Sequence, residues 1–246
     1  MSHAPLTPSA AERWLACPGS HLAEAAAPPA GSSEFADFGT AAHVLFAKAL
    51  RFDLPADIVT TDPLVLRPLA LALDAARQIL GSQPFLVETR LPAIAGLPAI
   101  WGTADVVGLS PEGPVDKIID LKFGEGIVVE ADTPQLGIYG LLGARCYGVA
   151  DNGVTVWVIQ PRCDHPDGLA RRHHYSRADL DRLEAKLREA AAEALASDAP
   201  RQAGPWCRWC RAAAVCPVRQ AAPDAVPSPL SAWFRPMPRW LAVARS

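Results

Sequence analysis

The chain has no surplus of positive charge: 23 Lys and Arg against 26 Asp and Glu give a formal net charge of −3. That removes any whole-molecule pull on nucleic acid, so contact with DNA has to come from local basic patches or bound cations. There is no uninterrupted run of about 18 apolar residues, hence no candidate membrane span and no membrane partner. The opening "MSHAPLTPSAAERWLACPG" lacks the charged-then-apolar order of a secretory signal, which predicts a cytoplasmic protein. No internal repeat is visible. Cysteine is scarce, with 6 in 246 residues. In a reducing compartment disulfides are disfavoured, and grouped thiols more often hold metal.

Half of the residues are apolar and a fifth are charged, which suits a globular chain of one domain with appendages. Near the N-terminus, Ser9 before "AAERWLA" with Glu12 three residues later predicts a short capped helix broken around Pro18-Gly19, with Cys17 at its end. From Thr40 onward, Ala42, Leu45, Phe46 and Ala49 share one helical face, and His43 lies near the start of that helix. Residues 55–68 are proline-rich and read as a loop before the helix "LALALDAARQIL".

"FLVETRLPAI", "IWGTADVVGLS" and "VDKIIDLKFG" then predict a three-strand meander. A weaker helix follows in "TPQLGIYGLLGARCYG", with Thr133 as N-cap and Pro134 at the first position. "GVTVWVIQPR" reads as a further strand. The capping box "SRAD" opens a long helix that runs until Pro200. This order predicts an α/β fold, a mixed central sheet flanked by helices. Residues 221–246 read as a proline-punctuated tail with Trp233, Phe234, Trp240 and Leu241 as anchors, after a main domain of 1–220.

Six polar positions on this frame are not what a bland core needs. Asp120 and Lys122, two apart on a strand, project from one face. Asp105 sits among small and β-branched residues, where a carboxylate calls for a partner or a cation. Neighbouring strands lie about 4.8 Å apart, so Asp105 and Asp120 share one divalent ion if their register matches. Mg²⁺ or Mn²⁺ there relieves the repulsion, activates a water and polarises a phosphate, with Lys122 stabilising the charge that develops. Gln135 and Tyr139, four apart on a helix, offer hydrogen bonds to phosphate or base, and His43 offers an imidazole ligand.

"GTAAH", "GTADVV", "DLK" and "QLGIY", in this order, resemble the PD-(D/E)XK nuclease superfamily and its RecB-like branch, over about Ser9 to Cys216. "RWLACPGS" and "PQL" with Tyr139 further resemble a phage and prophage group of that branch. The resemblance implies a restriction-endonuclease-like core and an Mg²⁺- or Mn²⁺-dependent deoxyribonuclease, an exonuclease in phage or prophage recombination or DNA-end processing. It implies His43, Asp105, Asp120 and the Leu121 backbone carbonyl as metal ligands, Lys122 as catalytic, and Gln135 and Tyr139 as substrate-orienting residues. Glu88, in "LVETRL", lies near that site or is a strand-edge charge. The implied partners are DNA and a phage recombination or single-strand annealing protein, in a bacterium or phage-infected cell.

"CRWCRAAAVCP" places Cys207, Cys210 and Cys216 within reach of one centre, and spacing alone does not separate tetrahedral zinc from an iron-sulfur cluster. Cys146 and Cys163 read as buried small hydrophobes, whereas Cys17 stands in the turn-rich "ACPGS". The resemblance assigns Cys17, Cys207, Cys210 and Cys216 to a [4Fe-4S] cluster that clasps the first helix to the last segment, with Trp206, Arg208, Trp209 and Arg211 around it. "GEGIVVEAD" departs from what DNA passage needs, because it sets Glu125, Glu130 and Asp132 just past the active strand. Two competing readings stay open: a non-catalytic DNA-binding or assembly module, and a zinc- or cluster-based redox regulator.

Overall fold

The computed structural model describes residues 4–28, 31 and 34–222. The tail anchors Trp233, Phe234, Trp240 and Leu241 lie outside them. A 3₁₀ turn, Pro8–Ala10, leads into α1 (Ala11–Ala16) and α2 (Ser20–Ala26), broken at Pro18-Gly19 as the sequence predicts. Ser9 is no cap, however. Pro8 starts a helical turn before it, so Ser9 is already inside the turn and neither terminus has a side-chain cap. α3 (Glu34–Arg51) begins before Thr40, which puts His43 in its middle, and it buries Ala42, Phe46 and Ala49.

The proline-rich stretch is not a loop but α4 (Ala56–Val59) and α5 (Pro63–Leu80). Pro63 occupies the first turn, where no N–H is needed, and Asp62 caps it through Leu64 N at 2.9 Å. Pro68 forfeits one interior bond, which the buried row Val65, Leu69, Ala72, Leu73 and Ala76 outweighs.

Strands β1 (Phe85–Leu91), β2 (Gly102–Leu109) and β3 (Val115–Leu121) form the antiparallel meander. α6 (Pro134–Tyr147) then crosses to β4 (Val154–Ile159), which pairs parallel with β3. Thr133 caps α6 as expected. A fifth strand, β5 (Ala170–Tyr175), pairs antiparallel with β4 and completes a sheet ordered β1-β2-β3-β4-β5. Its sequence "ARRHHY" hides it: Arg171 is buried because it bonds to Val129 O and to Gln160 Oε1. α7 (Arg177–Leu195) opens on the reciprocal Ser176–Asp179 capping box and ends before Pro200. Two 3₁₀ turns, Pro205–Trp209 and Ala213–Val215, precede α8 (Pro217–Ala221).

Both faces of the sheet are covered, so neighbours on one strand enter different cores. Ile118 belongs to a core cluster with Trp14, Leu141 and Leu187 from α1, α6 and α7, while Ile119 belongs to a second with Phe46, Leu69 and Leu73 from α3 and α5. The glycines that weaken the helical pattern of α6 are where it lies closest to the sheet. A Cβ at Gly137 would stand 2.9 Å from the Tyr175 hydroxyl, and one at Gly143 3.3 Å from Ile118. Among the described residues no helix is long and apolar enough to cross a membrane.

Candidate functional site

The register of the meander answers whether its carboxylates meet. Pairs Val106↔Ile119 and Val107↔Ile118 carry on to set Asp105 opposite Asp120, and Val87↔Val106 with Thr89↔Ala104 brackets Glu88 opposite Asp105. Three acids on three adjacent strands thus form one row. Glu88 has φ +49, a left-handed backbone that non-glycine residues seldom adopt, and such strain is concentrated at functional sites.

Asp105, with a side chain 13% exposed, is the hub. One oxygen accepts from Leu121 N at 2.7 Å, and the other lies 3.2 Å from His43 Nδ1. The ligand atoms of His43, Glu88 and Asp105 all lie within 4.8 Å of one another. Burial alone would lower the pKa of His43, but the hydrogen bond to Asp105 and its charge outweigh burial and the net shift is upward. Burial raises the Glu88 pKa, and the Asp105 charge adds to it. These three groups fit a divalent cation: the two carboxylates suit Mg²⁺ or Mn²⁺, and the imidazole also admits Zn²⁺ or Fe²⁺.

Asp120 is buried beside this group. Its Oδ1 accepts from Gln135 Nε2 at 3.0 Å, and Oδ2 lies 2.8 Å from Lys122 Nζ. Among the described residues that second oxygen makes no well-aligned hydrogen bond, so it has a lone pair to spare. Burial pushes the Asp120 carboxyl up, the Lys122 charge pulls it down and the Asp105 charge pushes it up again, for a net rise. Lys122 Nζ also donates to Gln135 Oε1 at 2.8 Å. Tyr139 stands behind Gln135; burial first, then the Asp120 charge, raises its pKa against the hydrogen bond to Gln135.

Every expected residue of this set is therefore brought together, with one change of grouping. Glu88, not Asp120, completes the tightest triad, while Asp120 is engaged by Lys122 and Gln135. Leu121 enters through its N–H. The signal for Glu88 was its place opposite Asp105, which needs the register to be known.

Cys17, Cys207, Cys210 and Cys216 line one cavity. Burial pushes the Cys17 thiol up; a bond from Gln202 N at 3.2 Å offsets part of this, and the charges of Cys207 and Cys216 add to it. Arg13, Arg201 and Arg219 also line the cavity, a cationic setting for thiolates. The Ser20 hydroxyl, buried and lining the same cavity, has no hydrogen-bond partner among the described residues. An orphaned donor facing four thiols fits a bound group with acceptor sulfurs.

Cys146 and Cys163 do not line this cavity, and neither is buried as expected: Cys163 is half-buried and Cys146 exposed. Cys146 follows Arg145, whose salt bridges to Asp181 and Glu184 hold α6 to α7 at the solvent edge. The clasp has polar fastenings of its own. Arg13 Nη1 donates to Trp209 O at 2.8 Å and Nη2 to Glu24 at 2.6 Å, while Arg211 N donates to the other Glu24 oxygen at 2.8 Å. Trp206 lines the cavity; Trp209 is 64% exposed under the Arg208 guanidinium.

A family model described as a protein of unknown function, DUF2800, matches residues 3–66 and 70–227. The chain belongs to the DUF2800 family. The two matched stretches hold both halves of the clasp and every residue of the carboxylate row, so neither site is peripheral to the DUF2800 match. A solved structure described as the crystal structure of SSO0001 aligns over 86% of this chain and 84% of that chain, at 18% identity and a TM-score of 0.41.

Proposed function

We propose that this DUF2800 chain is a metal-dependent DNA nuclease, an exonuclease in phage or prophage recombination or DNA-end processing. The observation that carries the reading is the row Glu88-Asp105-Asp120 with His43 at one end and Lys122 at the other. A structural ion pair does not require three acids in register, one of them on a strained backbone.

His43, Glu88 and Asp105 hold Mg²⁺ or Mn²⁺, with Asp120 and the Leu121 carbonyl as the further donors the resemblance implies. When bound, the ion supplies charge for the scissile phosphate and lowers the pKa of water. The residues do the positioning. Gln135 donates to Asp120 and accepts from Lys122, which leaves the ammonium free to turn one proton toward the oxygen on which charge develops. Tyr139, whose phenol burial holds above its ordinary pKa, is hydrogen-bonded to Gln135 and supports it.

The cysteine cavity takes a [4Fe-4S] cluster in this account, and its role is to close the chain on itself. Four thiolates suit Zn²⁺ as well as an iron-sulfur cluster, and the visible absorption of anaerobically purified protein separates the coloured cluster from colourless zinc. Purified, cluster-loaded protein with Mn²⁺ should degrade linear DNA, and Asp120→Ala should not. If wild type leaves linear, nicked and single-stranded DNA intact, as Asp120→Ala does, the nuclease reading is wrong and a non-catalytic module takes its place.

A further inference from the structure

The acidic stretch past the active strand is not a bare negative patch. Glu130 pairs with His165 at 3.1 Å and with Arg171 at 3.7 Å, and Glu125 is in contact with Arg162. Gln160 fixes the loop between them, accepting from Val129 N and donating to Ile127 O.

The Glu125–Arg162 pair differs from the others in where it stands and how little holds it. Arg162 follows the end of β4, whose Ile159 O accepts from Lys122 N at 2.8 Å. Its guanidinium lies 4.8 Å from the Phe38 ring and 5.6 Å from the Phe123 ring. Phe123 directly follows Lys122, and Phe38 is on α3 with His43, so the two rings tie the guanidinium to two of the elements that carry the row. A guanidinium has five N–H donors in a fork that fits phosphate. Among the described residues only Glu125 and a long bond to Phe123 O at 3.5 Å meet them. The Glu125 side chain is 61% exposed and that of Arg162 19%, so a rigidly mounted cation faces a carboxylate that water can replace at little cost.

We propose that Arg162 is a DNA-phosphate anchor beside the site, and that Glu125 is its exchangeable counter-ion, displaced when a backbone phosphate arrives. Glu125 then selects for substrate: an anion that offers two oxygens to the fork replaces it, and a weaker one does not. This rests on the nuclease reading for its substrate but is tested without cleavage.

The test is fluorescence anisotropy of the full chain with a labelled oligonucleotide of about 20 residues, single-stranded and duplex, in EDTA across a NaCl series. Arg162→Ala should weaken binding roughly 5–10-fold and lower the slope of log K against log salt by about 0.7 on single strands or about 0.9 on duplex. Glu125→Gln should tighten binding roughly threefold, and added to Arg162→Ala it should change nothing. Arg162→Lys, which keeps the charge, should restore the slope and so separates loss of the contact from loss of the fold. An unchanged slope in Arg162→Ala, weaker binding in Glu125→Gln, or no binding by wild type overturns the proposal. Wild type that cleaves with Mn²⁺ while Arg162→Ala keeps its slope sinks this proposal alone; a slope loss in a protein that never cleaves sinks the nuclease reading alone.

Discussion

Gly19→Ala tests the clasp at its tightest point. The Gly19 N–H donates to Pro200 O at 2.8 Å, and a Cβ there would stand 2.4 Å from Ala199 O and 3.0 Å from Pro200 O. These are backbone atoms, so no rotamer relieves the overlap and the two segments have to part by nearly an ångström. Overpacking of this kind costs about 1–3 kcal/mol, and a stretched backbone bond about 1 kcal/mol more. Gly19 has φ −69, where alanine is at ease, so the unfolded chain favours the substitution by about 0.4–1 kcal/mol. The net is a loss of about 1–3.6 kcal/mol, or a Tm lower by about 2–14 °C for a chain of this size. Because Cys17 lies two residues away, iron and sulfide per chain should fall with it. Urea and thermal unfolding followed by circular dichroism, together with iron analysis, check both. An alanine variant as stable as wild type or more so, with undiminished iron, refutes the contact, since entropy alone predicts that sign.

Glu24→Ala removes the acceptor shared by Arg13 and Arg211, and with the Arg13 and Glu24 side chains each 14% exposed it should cost about 2 kcal/mol. Limited proteolysis should then cut near residues 205–222 sooner than in wild type. Ser176→Ala should cost about 1 kcal/mol in urea unfolding, because it removes the cap of α7. The Ser176 hydrogen bond holds the Asp179 carboxyl below its ordinary value. The unfolded chain therefore takes up protons first on acidification, so the contribution of Asp179 is complete above its unfolded pKa and is lost as pH falls through its folded one. Ser176→Ala should flatten that acid limb. Glu88→Gln should weaken Mn²⁺ binding at least tenfold, roughly, in calorimetry of the cluster-loaded protein; unchanged affinity would remove Glu88 from the ligand set.

Much of this architecture is legible where side-chain period and burial agree. The meander, the β3-α6-β4 crossover and the box at Ser176 follow from alternation and capping residues, because both sides of each element do what its pattern says. β5 is not legible, since Arg171 is buried for the sake of Gln160 and Val129, partners distant in sequence. Pro68 misleads for a related reason: tertiary packing of α5 overrides its local cost. In the site, Asp105, Asp120 and Lys122 stand out as polar residues in apolar strands. The grouping of Glu88 with His43 depends on register and on a positive φ, which no spacing encodes. Cys17 is joined to the C-terminal thiols through a resemblance, and the cavity then sets it beside them.

The most direct measurement is cleavage of end-labelled single- and double-stranded DNA by cluster-loaded wild type and Lys122→Ala in Mn²⁺, with metal affinity measured on the same samples. Loss of one charge-stabilising donor costs about 100-fold or more in rate. Lys122 is no metal ligand, so its removal should leave Mn²⁺ bound while end-label release falls by that factor. Equal rates for the two proteins, or no metal-dependent release from wild type, would contradict the account.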